Sequence, residues 1–146
     1  MKKLLFSIFF AAGFIFLNQA AAQNPSLTKI GELINGVPTI TYNQNQLKQE
    51  WQSYLSLNSE ISVSFATIEI TQEGTFYALR GRNADNSIKS ALKLVLSGND
   101  LYRVNGFTHT VSCSGCTSGC SPWGNDTGWE CKDPCTDCKK TETITF

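Results

Sequence analysis

The sequence predicts an α+β fold with an N-terminal β-hairpin, one helix packed on a four-stranded antiparallel meander, and an irregular cysteine-rich module at the C-terminus. Three observations predict it. An Asn-Gly pair separates two short apolar runs, a single segment has helical periodicity, and all six cysteines lie in the last third of the chain. The chain therefore divides into a leader at 1–22, an α+β body at 23–112 and the cysteine-rich module at 113–146.

The first 22 residues are predicted to be a secretory signal peptide. Lys2 and Lys3 supply positive charge, residues 4–17 are apolar, and the three alanines at 20–22 form a small-residue cleavage site. The apolar run of about 14 residues is shorter than the ~20 that a membrane-spanning helix requires. We expect cleavage after Ala22 and a mature protein that is secreted or periplasmic and does not associate with a membrane.

The charge balance argues against nucleic acid as a partner. The chain carries 12 basic and 12 acidic side chains, and loss of Lys2 and Lys3 with the signal peptide leaves a net charge of −2. Nucleic-acid binding calls for a clustered basic face, and no polybasic segment for an anionic membrane is present either. Arg80 and Arg82 alternate along one predicted strand and are expected to keep an exposed face soluble.

The hairpin is predicted from Asn35-Gly36, because both residue types tolerate the positive φ values of a tight turn. Pro38 lacks an N–H group and therefore indicates that the returning strand lies at a sheet edge. The helix is predicted over residues 44–57, with Asn43 placed to cap its N-terminus. Four apolar side chains on one face mark its buried side, with the tryptophan as the core anchor. They are Leu47, Trp51, Tyr54 and Leu55.

Four strand-like runs follow the helix, joined by short polar links that favour antiparallel neighbours. A change of phase in the first run predicts a bulge near Ala66-Thr67. A helix followed by such a meander resembles the cystatin-like layout over residues 43–112, and this resemblance implies a topology without any particular function. The four runs are 61–70, 75–82, 87–96 and 101–111.

The six cysteines are predicted to form three disulfides. Exported proteins fold where thiols are oxidised, and an even number of cysteines is typical of a disulfide framework. The spacing C-x2-C-x3-C-x10-C-x3-C-x2-C is the same when it is read backwards. This symmetry suggests a nested set of bridges that would close the module like the rungs of a hairpin: Cys120–Cys131, Cys116–Cys135 and Cys113–Cys138.

Two other uses of the cysteines stay open. The pairs Cys113/Cys116 and Cys135/Cys138 are spaced like the ligand pairs of a zinc site, so zinc is the alternative cofactor. A thiol–disulfide oxidoreductase is less favoured, because neither pair has the neighbouring cation or βαβ context that stabilises an attacking thiolate. No catalytic residue and no cofactor is predicted, since His109 is the sole histidine and lacks a nucleophile–base motif.

Trp123 and Trp129 are the candidate binding residues. They lie between Cys120 and Cys131 in a module with few other large apolar side chains. The two indoles either fill a small core or form an exposed aromatic platform. The predicted function is a secreted, non-enzymatic binding module whose partner is an extracellular protein or a glycan, and neither the partner nor the oligomeric state can be identified from the sequence.

Overall fold

The computed structural model describes residues 26–117, 119–125, 128–132 and 137–144. Ten strands, one α-helix and one 3-10 turn lie within these residues. The strands are β1 (Leu27–Ile34), β2 (Val37–Ile40), β3 (Thr67–Glu73), β4 (Phe76–Arg82), β5 (Ile88–Ser97), β6 (Asp100–Val104), β7 (Thr110–Ser114), β8 (Ser121–Asn125), β9 (Gly128–Lys132) and β10 (Lys139–Thr143). Helix α1 spans Gln44–Asn58, and the 3-10 turn spans Asn105–Phe107.

The predicted signal peptide lies outside the described residues. Within the part of the chain that the structure describes, no helix has both the length and the apolar character needed to cross a bilayer.

The predicted fold class is wrong. The described chain is mostly β, with one short α-helix, and its main sheet is nearly closed and barrel-like instead of a four-stranded meander. The long strand β5 pairs with β4, with β7 and, through its C-terminal end, with β6. From β6 the sheet continues to β1 and β2, while β3 extends it beyond β4. Contacts between β2 and β3 bring the two ends of this sheet together.

The hairpin and the helix are confirmed. Asn35 and Gly36 have φ values of 52° and 81°, and Ile34 pairs with Val37 across the turn. The Asn43 side chain accepts a hydrogen bond of 3.0 Å from the backbone N–H of residue 46, which caps α1 as expected. These elements depend on residues that are neighbours in sequence, so the local pattern was sufficient to predict them.

Two of the four predicted strand runs differ from the structure. Residues 61–66 lie outside any strand, and β3 begins at Thr67, so the bulge predicted there is wrong. The backbone N–H of Phe65 instead donates to the Gln52 side chain of α1 at 2.7 Å. The last run is divided into β6 and β7 by the 3-10 turn, inside which Gly106 has a φ of 81°.

Helix α1 packs against one face of the sheet. Trp51 is fully buried there, and its indole N–H donates to the Thr110 hydroxyl at 3.1 Å. The rings of Phe65 and Phe107 lie 4.6 and 6.1 Å from the Trp51 ring. We call this cluster the helix-side core. Its other buried members are Ile30, Leu47, Tyr54, Leu55, Ile68, Ile70, Leu79, Leu92, Leu94 and Leu101.

The opposite face of β4, β5 and β7 is covered by the cysteine-rich module. Because side chains alternate across a strand, Leu79 and Leu92 face α1, whereas Ala78 and Ala91 belong to a separate buried cluster. We call this cluster the module-side core. Its buried members are Phe76, Ala78, Ala91, Val111, Cys113, Cys120 and Trp129.

The module is not irregular, contrary to the prediction. Strands β8 and β9 form a two-stranded antiparallel hairpin, and β10 pairs with β7 along its whole length. Strand β10 begins at Lys139 and lies at an edge of the main sheet. Cys113 itself lies inside β7. The module thus leaves the main sheet after β7, folds over its outer face and rejoins it through β10.

Candidate functional site

Two disulfides fix the module to the sheet. Cys113 of β7 is bonded to Cys131 of β9, and Cys120, just before β8, is bonded to Cys138, just before β10. Each bridge has a sequence separation of 18 residues. Closing loops of this size stabilises a fold by about 3 kcal/mol each in the chain-entropy description. The bridges therefore replace much of the apolar area that the module lacks.

The nested pairing is wrong for both bridges that the structure describes. In the hairpin, Cys131 lies opposite Pro122, so Cys120 is beyond the last paired position and does not face Cys131. Cys131 instead bonds to β7 beneath it. Cys116 is also disulfide-bonded, and Cys135, its predicted partner, lies outside the described residues.

The zinc alternative loses three of its four predicted ligands in this disulfide state. Cys113, Cys116 and Cys138 are all disulfide-bonded and have no thiolate to offer, and Cys135 lies outside the described residues. No group of three or more His, Cys, Asp or Glu side chains placed to bind a metal occurs among the described residues. Elemental analysis of the native protein tests this alternative directly.

Thiol–disulfide exchange requires that an external thiolate reach a disulfide sulfur. Cys113 and Cys120 are almost fully buried, which blocks this approach to their two sulfurs.

The two candidate tryptophans have different environments. Trp129 is 5% exposed and meets Phe76 edge to face, with 5.8 Å between ring centroids. Trp123 is 39% exposed, and the Lys132 ammonium lies 3.2 Å from its ring centroid. Trp129 thus fills the module-side core, and Trp123 presents aromatic surface to solvent.

Gly124 allows β8 to lie directly on the sheet. A Cβ atom at this position would come within 2.4 Å of the Phe76 ring and 3.1 Å of the Trp129 ring. Only a glycine permits so close an approach between backbone and ring. The contact holds β8 against the start of β4.

A groove lies between the module and the outer face of β3, β4 and β5. Its volume is about 370 Å³, and it is partly open to solvent. A second, smaller depression of about 240 Å³ lies at the other end of β8, where Trp123 and Asn125 face the β3–β4 turn. The larger of these two depressions, the groove, is lined by side chains from both the sheet and the module, including Thr67, Glu69, Arg82, Lys89, Thr117 and Ser121.

Arg80 joins the module to the sheet at the groove. Its Nε donates to the Glu73 carboxylate at 2.7 Å and to the Thr71 hydroxyl at 3.1 Å. Its Nη2 donates to the backbone carbonyl of Pro122 in β8 at 2.8 Å. Partial burial raises the pKa of Glu73, but the hydrogen bonds from Arg80 and Thr71 outweigh it and leave this pKa below its usual value. Glu73 is therefore ionised at neutral pH and holds Arg80 in place.

Arg82 and Lys89 are directly opposed on β4 and β5. The Arg82 guanidinium donates to the Asn86 side chain at 2.8 Å, and the Lys89 ammonium donates to the backbone carbonyl of Gly119. Among the described residues, neither cation forms an ion pair with a carboxylate. Glu69 of β3, which lies opposite Arg80, is the acidic residue of the groove lining.

These groove residues were not predicted as a site. The alternation of Arg80 and Arg82 is the available signal, and by itself it predicts only that the two side chains share one face of a strand. Lys89 joins them only through the β4–β5 register, and Thr117 and Ser121 only through the docking of the module.

No protein family, no curated protein sequence and no solved structure matches this chain. Its function is therefore inferred from the geometry and chemistry of the groove.

Proposed function

We propose that the chain is an exported, non-enzymatic binding protein that holds a polar ligand in the groove between the module and the sheet. The observation that carries this proposal is the shared lining, in which Glu69 and Lys89 come from the sheet and Thr117 and Ser121 come from the module. The volume of about 370 Å³ lies within the range of small-molecule clefts. Disulfides hold the module wall in place, and a rigid frame lowers the entropic cost of binding.

The composition of the lining favours binding over catalysis. Among its described residues neither a histidine nor a cysteine is present, so a conventional nucleophile–base pair is not available. The Ser90 hydroxyl is hydrogen-bonded to the Ser112 hydroxyl at 2.7 Å, and both residues are almost fully buried. This hydroxyl is therefore engaged inside the protein and does not face a ligand in the groove. His109 lies elsewhere, 3.8 Å from Glu142.

Export is supported by two independent features. Disulfides persist in oxidising compartments, and the predicted signal peptide would deliver the chain to one. Cell fractionation with intact-mass measurement tests this part of the proposal. We expect a mature protein that starts at Gln23 and appears in the periplasm or the medium. An alkylating reagent should add mass to this protein only after its disulfides have been reduced. A cytoplasmic protein that retains residues 1–22 would contradict it.

A glycan is the ligand class that we propose for the groove. Its lining offers hydroxyl, amide and charged groups, which complement the many hydroxyls of a sugar. Trp123 lies two residues beyond Ser121 on the same face of β8, about 7 Å along the strand. The Lys132 ammonium covers one face of this ring, and the other face of the exposed ring is the proposed stacking surface for a second sugar unit at the neighbouring depression.

A glycan array with wild-type protein and two tryptophan variants tests the proposal. Ser121→Trp places a large ring in the groove, and Ser56→Trp adds the same ring to the exposed surface of α1 on the other side of the sheet. We expect the wild type and Ser56→Trp to retain the same glycans and Ser121→Trp to lose them, with all three proteins melting alike. A wild type that retains no glycan, or a Ser121→Trp variant that retains the full set, would overturn the proposal.

A further inference from the structure

The opposition of Arg82 and Lys89 is electrostatically unfavourable. Residues directly opposite on antiparallel strands have Cβ atoms about 5 Å apart, and a pair of like-charged side chains in such positions is destabilising. Their hydrogen bonds go to neutral oxygens of Asn86 and Gly119, which satisfy donors but do not neutralise charge. Arg80 differs from both, because Glu73 already neutralises it. Within the described part of the chain, the groove therefore has two cations on one wall that form no ion pair.

We propose that the groove binds an acidic saccharide, with the carboxylate or sulfate of one sugar unit held between the Arg82 guanidinium and the Lys89 ammonium. This inference rests on the proposed function and specifies its ligand. A guanidinium matches the geometry of a planar or tetrahedral oxyanion, and an ammonium adds a second point charge. A bound anion would offset the repulsion between the two side chains. It would also accept charge-assisted hydrogen bonds from both of them.

Glu69 favours a sugar over a bare anion. It lines the same groove, opposite Arg80 on β3, and its carboxylate accepts hydrogen bonds only. A ligand that placed an anion against it would be repelled, whereas a sugar hydroxyl would donate to it. The combination of two cations and one carboxylate thus fits a group that carries one negative charge beside several hydroxyls.

The lining also favours a saccharide over an acidic peptide. Many modes of peptide recognition also seat apolar or aromatic side chains in apolar pockets. The side chains of this groove are instead hydroxyls and amides around the charges, as at Thr67, Asn86, Thr117 and Ser121. The carboxylates of an acidic peptide would contact the two cations, but its apolar side chains would find no apolar pocket in this lining.

Binding to four probes tests the inference: neutral dextran, dextran sulfate, oligogalacturonate and polyglutamate. Dextran and dextran sulfate share a backbone, so their comparison isolates the sulfate, and oligogalacturonate isolates a carboxylate. We expect binding to dextran sulfate or oligogalacturonate that is at least about tenfold tighter than binding to dextran. This binding should weaken as sodium chloride is raised, because salt screens exposed charges.

Three variants assign the binding to the two cations. Arg82→Gln and Lys89→Gln should each raise the dissociation constant about tenfold, as expected for loss of one charge-assisted hydrogen bond. Lys139→Gln removes the same charge from an exposed position on β10 outside the groove and should leave binding unchanged. Lys89→Arg keeps the charge and should preserve binding. Thermal melting of each variant verifies that the fold is retained.

Several outcomes would overturn the inference. These are equal binding of dextran and dextran sulfate, binding of polyglutamate in preference to both acidic saccharides, or equal effects of Lys89→Gln and Lys139→Gln. A neutral glycan that is retained by the wild type and lost in Ser121→Trp would overturn the acidic ligand while leaving the proposed function intact. Retention of no glycan at all would overturn both.

Discussion

The two faces of the central sheet are buried by different means. On the helix side, large apolar side chains surround Trp51, which is fully buried. On the module side, the sheet contributes the small residues Ala78 and Ala91, and the main ring contact is between Phe76 and Trp129. Disulfides hold the second layer in place. The comparison teaches that one sheet can support a conventional core on one face and a covalently held layer on the other.

The difference predicts where stability resides. Burial of large side chains stabilises the helix side without any covalent bond. The hairpin of β8 and β9 is a two-stranded ribbon, which is marginal in water unless it packs against something. We therefore expect the helix side to survive changes that release the module, and changes on the helix side to unfold the whole molecule.

The largest effect is expected from Trp51→Ala. This change removes a fully buried indole, its hydrogen bond to Thr110 and its contacts with two phenylalanine rings. We expect a loss of about 4 kcal/mol in the free energy of unfolding, measured by urea denaturation. Trp123→Ala is the matched control because Trp123 is 39% exposed, and it should cost less than about 1 kcal/mol. Equal losses would remove the distinction between the two faces.

The next effect is expected from the double change Cys113→Ala and Cys131→Ala. Loss of this bridge frees β9 from β7 and should cost about 3 kcal/mol. Hydrogen exchange followed by mass spectrometry should show lost protection in β8 and β9, with protection in α1 retained. Ser114→Ala, in the same strand, serves as the control. A uniform loss of protection across α1 and the hairpin would show that the two layers unfold as one unit.

A smaller effect is expected from Gly124→Ala. The added methyl group would lie 2.4 Å from the Phe76 ring, so the ring or β8 must move. We expect a loss of about 2 kcal/mol, in the range for overpacking. Phe76→Leu shortens the opposing side chain, and the double variant should recover part of that loss. If the stability losses of Phe76→Leu and Gly124→Ala simply add in the double variant, the close approach of β8 does not depend on this ring.

The smallest effect is expected from Glu73→Gln, which weakens the hold of Arg80 on β8. The carboxylate side chain is 12% exposed, and we expect a loss of about 1 kcal/mol at pH 7. Partial burial raises the pKa of Glu73, but the hydrogen bonds from Arg80 and Thr71 lower it further, so its net shift is downward. The contribution of the carboxylate is therefore complete above the pKa of an unfolded glutamate and is lost as the pH falls through the lower folded value.

The pH dependence distinguishes this contact from an ordinary surface pair. The stability difference between the wild type and Glu73→Gln should shrink as urea titrations are moved from pH 7 toward pH 3. Glu32→Gln removes a carboxylate that pairs with Lys29 at the surface, where both side chains are more than a third exposed. It should change stability by less than about 0.5 kcal/mol at pH 7. A difference for Glu73→Gln that grows with acidification would contradict the assignment.

The predictable parts of this fold are local. Asn35-Gly36 specifies its turn, and Asn43 its helix cap, because the interactions involved span three residues or fewer. The pairing of β5 with three strands and the contact of β2 with β3 join distant segments. Hydrophobic periodicity reports which face of a strand is buried, but it carries no information about which strand lies beside it.

The candidate site illustrates the same limit. Alternation correctly placed Arg80 and Arg82 on one face of a strand. The meeting of Arg82 with Lys89 depends on the alignment of two strands, and the coupling of Cys113 to Cys131 depends on how the hairpin docks. Spacing alone cannot choose among disulfide pairings, and the symmetric cysteine pattern pointed to a connectivity that the described residues contradict.

The use of both faces of β4 and β5 also protects the alignment of these strands. Sliding β4 by a single position along β5 would turn every side chain to the opposite face. Arg80 would then enter the apolar layer around Trp51, and Leu79 would be forced beneath β8, where Gly124 already leaves no spare room. In an antiparallel sheet with one solvated face, such an error is penalised mainly on the single buried face. Here a misaligned chain is penalised on both faces of the sheet at once. The native register of β4 against β5 is therefore strongly favoured during folding.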